Sequence, residues 1–190
     1  MNNKTLKYLS TLLVIFLFGC SKSIETSPII IFILTDDLAY ADLSSYGSEF
    51  IETPNLDKMA DDGVKMTSYY AAQAVCSASR AAILTGCYPN RLGISGAFGP
   101  KSKRGINPDE FLLSEMLKEN NYKTGIFGKW HLGDAEKFLP TNHGFDEFYG
   151  ILFSNDTCKF HPERPEGYPD DLMLYRNETP IQSIIDQSDL

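Results

Sequence analysis

With 190 residues, the chain is long enough for one domain or for a large piece of a bigger one. Hydrophobic residues make up 43% and charged residues 22%, which excludes an intrinsically disordered chain. The 17 Lys and Arg face 25 Asp and Glu, a formal net charge of −8 with no basic block, which excludes a charge-driven nucleic-acid binder.

Residues 1–19 read as a signal peptide. Lys4 and Lys7 precede an apolar stretch from Leu9 to Gly19 that is too short to span a membrane comfortably. Leu17-Phe18-Gly19-Cys20 resembles a bacterial lipobox, which implies cleavage before Cys20 and a lipid on its sulfur. The protein is then expected to be an exported lipoprotein of the periplasm or outer membrane. Cys20 would anchor it to the membrane, with residues 20–28 as a tether. An ordinary secretory signal with a chance cysteine is the alternative. Cys87 and Cys158 could pair in an oxidising compartment or remain thiols.

From residue 29 the chain reads as a folded domain. Ile29-Ile30-Ile31-Phe32-Ile33-Leu34 predicts a central strand covered on both faces, ending in Thr35-Asp36-Asp37. Thr53 and Pro54 open a helix, Leu56, Met59 and Ala60 give it an apolar face, and Gly63 ends it. Val64 to Tyr70 alternates as a strand would. Ser77 to Thr85 predicts a helix ending at Gly86, with Cys76 at its N-terminal edge. Asn107-Pro108-Asp109-Glu110 predicts another helix start, with Phe111, Leu112, Met116 and Leu117 buried. Tyr122 to Phe127 predicts a strand followed by Gly128-Lys129-Trp130-His131. No strand or helix is predicted from Ser154 to Asn177, and Ile181 begins a new element. Alternating strands and helices, with polar clusters after the strands, predict an α/β fold with a mostly parallel central sheet flanked by helices.

Three clusters carry chemistry. The adjacent carboxylates Asp36 and Asp37 repel each other and suit a hard divalent cation if buried, or a solvated loop if not. Cys76 sits where the positive end of a helix dipole favours a negative group, and Arg80 lies one turn on. A buried thiol beside a surface arginine is the plain alternative. Lys129 and His131 are two apart, so an extended chain would point both the same way, toward an anion with proton transfer nearby.

These clusters, in this order, resemble the sulfatase family of the alkaline-phosphatase-like superfamily. Cys76-Ser77-Ala78-Ser79-Arg80, continuing to Thr85-Gly86, is similar to the family's Cys-x-Pro/Ala-x-Arg signature. Thr35-Asp36-Asp37-Leu38 resembles its first metal-binding turn, and Gly128-Lys129-Trp130-His131-Leu132-Gly133 its second signature. Gly144 to Gly150 and Ser154-Asn155-Asp156 match later segments.

The resemblance implies a sulfuric ester hydrolase acting on sulfated carbohydrate or aryl sulfate. Cys76 would be oxidised to formylglycine, whose hydrate is a nucleophile with a second hydroxyl for releasing sulfate. Asp36, Asp37 and the modified residue 76 would hold Ca²⁺, with Mg²⁺ as alternative. Arg80 would hold the formylglycine in place. Lys129 would contact sulfate, His131 would take a proton from the hydrate, and Ser154 would be a further sulfate contact. Ala78 stands where many relatives have proline, which implies a radical-type maturation enzyme. Relatives are longer and use a downstream Asp-Asn pair, Lys and His. Residues 29–190 therefore resemble the N-terminal part of the catalytic domain, expected to be inactive alone. Two other readings stand beside this one: a phosphonate or phosphodiester hydrolase of the same superfamily, and a non-catalytic truncated lipoprotein that binds sulfated glycans.

Overall fold

The computed structural model describes residues 27–100, 102–159 and 171–184. The signal peptide, Cys20 and residues 20–26 of the tether lie outside the described residues. Among the described residues, no helix is long and apolar enough to cross a membrane. The chain divides into two units, Met1–Ala39 and Tyr40–Leu190.

In the first unit, Ile29 to Leu34 forms no strand and is exposed, with Ile29 at 90% and Ile31 at 79%. This corrects the predicted central strand. A run that is apolar on both faces needs a hydrogen-bonded neighbour and two covering layers. No described residue pairs with it in a ladder.

Among the described residues, the second unit holds three α-helices and one sheet. Helix α1 is Pro54–Asp62, α2 is Cys76–Thr85 and α3 is Leu113–Glu119. Strands β1 (Gly125–Lys129), β2 (Glu147–Ile151), β3 (Leu172–Arg176) and β4 (Thr179–Ile184) lie in that order across the sheet. The β1–β2 pair is parallel and the other two pairs are antiparallel. The α/β class holds, and the described sheet is mixed because β3 and β4 form a hairpin beside the parallel pair.

Local chemistry explains where each helix starts. Thr53 makes no side-chain cap on α1. Instead Asp57 accepts from Ser44 Oγ at 2.5 Å, Ser45 N at 2.8 Å and Thr53 Oγ1 at 3.0 Å, tying the first turn to the preceding loop. The predicted apolar face of α1 is not buried: Leu56 and Met59 are exposed. Val64 to Tyr70 forms no strand. Alternation alone does not make a strand, and that segment gains no ladder partner.

Helix α3 begins at Leu113, not at Asn107. Residues 108–110 form a turn, and the Glu115 carboxylate accepts from Leu112 N at 2.7 Å, the capping contact predicted for Glu110. Leu112 is buried, while Phe111 and Met116 are exposed. Strand β1 starts three residues after the predicted Tyr122. Residues 122–124 serve instead as a junction: Asp146 accepts from Thr124 N at 3.0 Å and pairs with Lys118 of α3 at 2.8 Å. The Lys118 ammonium and the Thr124 amide pull the Asp146 carboxyl down to about 2.

Strand β3 lies where no element was predicted. Its alternation is short but present: Leu172 and Leu174 are buried, while Arg176 is exposed. The hairpin turns at Asn177, which is left-handed at φ 54° and whose side-chain Oδ1 accepts from Phe148 N at 2.9 Å. The core draws on α2, both faces of the sheet and the long loops, through Ala78, Ala81, Ile94, Leu112, Trp130 and Phe148. Cys87 and Cys158 are not joined to each other, and Cys158 is buried in this core.

Gly128 and Gly150 face each other across the parallel pair. A Cβ at Gly150 would lie 1.8 Å from the Gly128 carbonyl oxygen. Gly150→Ala is expected to push the two strands apart and destabilise the unit by about 1–3 kcal/mol or more. Chemical denaturation followed through Trp130, the single tryptophan, measures this. Wild-type stability in that variant would contradict the close approach.

Candidate active site

The site is built where β1, β2 and the start of α2 end together. Helix α2 begins at Cys76, with Val75 extended before it and Gly86 closing it in the left-handed conformation at φ 68°. Cys76 is half-buried, and the next residue, Ser77, is fully buried. Arg80, one turn along, donates from Nη1 to the Lys129 carbonyl at 2.5 Å. That bond fastens α2 to the last residue of β1.

Backbone bonds between the two chains continue past the end of β1. Trp130 N donates to the Ile151 carbonyl at 2.9 Å, and His131 N donates to the Leu152 carbonyl at 3.1 Å. This extension sets Lys129 beside Ser154, and its ammonium donates to Ser154 Oγ at 3.1 Å. Arg80, Lys129 and Ser154 therefore form a linked set of donors on one side of the α2 start.

His131 departs from the extended chain that its spacing predicted. Its φ is 59°, a left-handed conformation that costs a non-glycine residue about 1–3 kcal/mol. The side chain is 3% exposed and turned away from a simple strand path. Its Nε2 lies 2.7 Å from the Phe98 carbonyl, and Phe153 packs edge-on to the ring at 6.1 Å. Strain at a buried imidazole, held by its neighbours, marks this residue as one with a task.

Asp36 and Asp37 belong to the first unit and are exposed, with Asp37 left-handed at φ 57°. As hard oxygen donors they suit a cation such as Ca²⁺ or Mg²⁺ in kind. Their number falls short, because calcium takes six to eight oxygens. Among the described residues, no group of three or more His, Cys, Asp or Glu gathers to hold a metal.

Sequence reasoning missed three buried residues here. Ser77 and Phe98 link the start of α2 to His131, and His143 packs on Trp130. His143 is fully buried, with its ring 6.0 Å from that of Trp130. Nothing in the local sequence marks these contacts, since each spans more than ten residues.

Residues 28–187 match the family model described as Sulfatase. Over 163 residues the chain is 42% identical to arylsulfatase A of Bos taurus, covering 84% of this chain and 30% of that protein. It is also 42% identical over 158 residues to N-acetylgalactosamine-6-sulfatase of Sus scrofa, covering 79% of this chain and 29% of that one. Among solved structures, Ps i-CgsB in complex with k-i-k-neocarrahexaose superposes with a TM-score of 0.68 at 34% identity. That match covers 81% of this chain and 37% of the other. The protein belongs to the sulfatase family, and its fold is the alkaline-phosphatase-like one of that family. The chain spans about a third of the length of these relatives.

Burial pushes the His143 imidazole below its usual 6.5, against the pull of Glu115 and the Lys137 backbone. Above pH 6.5 the folded and unfolded chains both leave this ring neutral. Below it the unfolded chain binds the proton first, so stability is lost as pH falls. Relative to wild type, His143→Leu is expected to gain stability as pH drops from 7 to 5. Urea midpoints across that range measure it, and a pH-independent difference would contradict the burial argument.

Proposed function

We propose that this protein is a sulfuric ester hydrolase of sulfated carbohydrates or aryl sulfates. The observation that carries the reading is the linked set Arg80, Lys129 and Ser154, with His131 beside it, at the start of the helix that opens with Cys76. A sulfate ester repels nucleophiles through its oxygens. Two cations and a hydroxyl in a half-buried setting offset that charge more than they would in water. The names of the relatives support the substrate class, since they are an arylsulfatase and an N-acetylgalactosamine-6-sulfatase.

In this reading Cys76 is oxidised to formylglycine by a separate maturation enzyme, of the radical type given Ala78. The aldehyde hydrate supplies a nucleophile together with a second hydroxyl through which sulfate can be released. Asp36 and Asp37 are donors of the kind that would suit a divalent cation, calcium with magnesium as alternative, and such an ion would draw charge off a sulfate ester. The remaining roles fall to this chain's own side chains. Arg80 holds the strand end and the start of α2 in register. Lys129 and Ser154 bind sulfate oxygens. His131 takes a proton from the nucleophile. The lipobox-like segment supports export as a lipoprotein anchored at Cys20, in the periplasm or outer membrane.

The test uses protein expressed in its native host from the full reading frame. Peptide mass spectrometry is expected to find an aldehyde in place of the Cys76 thiol. Turnover of an aryl sulfate or sulfated sugar is expected to vanish in Cys76→Ala, and to fall about 10²–10³-fold in Lys129→Ala. An unconverted thiol would favour a non-catalytic binding protein. Faster cleavage of a phosphodiester than of the sulfate ester with the same leaving group would replace the proposal by the phosphodiester reading.

A further inference from the structure

The main chain of Phe98 touches both halves of the site. Its N–H donates to Ser77 Oγ at 3.0 Å, and its carbonyl lies 2.7 Å from His131 Nε2. All three residues are buried: Ser77 at 0%, Phe98 at 5% and His131 at 3% exposure. The Phe98 ring is held from outside by the Arg104 guanidinium, 5.6 Å above it, and Arg104 in turn donates to the Gly93 carbonyl at 3.1 Å. Phe98 is thus fixed at its amide, its carbonyl and its ring.

A carbonyl oxygen can only accept, so the short contact requires a proton on His131 Nε2. In the neutral imidazole the lone pair then sits on Nδ1. We propose that Ser77 is a positioning residue for His131. Its hydroxyl anchors the Phe98 main chain, the Phe98 carbonyl holds the Nε2–H, and Nδ1 is thereby kept as the proton-accepting atom. The inference rests on the reading of His131 as proton acceptor. It adds which nitrogen acts and which residue sets it.

The spacing gives the arrangement its use. Ser77 follows the candidate nucleophile at residue 76 in the same helical turn, so one backbone segment fixes both the nucleophile and its base. The edge-on Phe153 ring at 6.1 Å restricts rotation of the imidazole that would exchange its two nitrogens. The left-handed backbone at His131 aims the ring at the Phe98 carbonyl, away from the path of β1.

The test reads the imidazole directly and needs no turnover. The sequence has three histidines, so nitrogen NMR on the histidine-labelled full chain at pH 8 resolves them, with His131→Gln for assignment. Wild type is expected to show the His131 proton on Nε2, with a through-bond coupling to the ¹³C-labelled Phe98 carbonyl. In Ser77→Ala that proton is expected to exchange with water about tenfold faster, the effect of losing one supporting hydrogen bond. Ser77→Thr, which keeps the oxygen, is expected to restore slow exchange. Trp130 fluorescence reports whether each variant is folded.

A wild-type proton on Nδ1 would overturn the proposal whatever the variants do. Unchanged exchange in folded Ser77→Ala would overturn it as well. If Ser77→Ala does not fold, Ser77→Thr and Ser77→Val replace it as a pair matched in shape and differing in the hydroxyl. Equal exchange in those two would count against the proposal. Retained turnover in His131→Gln with the NMR result intact would instead count against the catalytic role of His131.

Discussion

The site depends on the parallel pairing of β1 with β2 and on backbone bonds from the two residues that follow β1. Ladder bonds from Trp130 and His131 to the carbonyls of Ile151 and Leu152 keep the two chains in register past Lys129 and Ile151. That register puts the Lys129 ammonium on Ser154 and presents the Lys129 carbonyl to Arg80. A slip of one residue would turn every one of these side chains to the other face. The close approach of Gly128 and Gly150 is part of the same constraint, since a side chain at Gly150 would enter the opposing backbone.

From this register the electrostatics follow. An acidic chain of net charge −8 gathers a guanidinium, an ammonium and an imidazole at one sheet end. The sites of open α/β sheets lie beyond the carboxyl ends of their strands, and here Lys129 ends β1 and Arg80 of α2 bonds to its carbonyl. Burial of Ser77, Trp130 and His131 keeps their hydrogen bonds out of competition with water. The strain at His131 is held by contacts on three sides: Leu152 at its amide, Phe98 at Nε2 and Phe153 at the ring face.

Much of this was legible in the sequence, and the rest was hidden for identifiable reasons. Helix α2 was readable because Cys76 to Gly86 combines helix-forming residues with a left-handed glycine stop. Cys76, Arg80, Lys129, His131 and Ser154 were readable as a motif, and contacts tie the last four of them or their neighbours to one another. The Ile29 to Leu34 run was misread because a strand exists only through its neighbours, and no described residue pairs with it. Helix α3 started late because Glu115, not Glu110, reaches back to cap it. Strand β3 was missed because its brief alternation sits beside a stretch rich in proline and acidic residues. The contacts of Ser77, Phe98 and His143 were not legible, because each joins residues far apart in the chain.

The central claim is that Arg80, Lys129 and Ser154 form one anion-binding locus at the ends of β1 and β2, with the His131 imidazole beside it. Titration of the ¹⁵N-labelled chain with sodium sulfate, at ionic strength held constant with chloride, tests it most directly. The account predicts saturable shifts centred on residues 129–131, Ser154 and the start of α2, with affinity reduced about tenfold or more in Lys129→Met, as expected for loss of a charge-assisted hydrogen bond. Shifts scattered over the surface, or equal affinity in the variant, would contradict it.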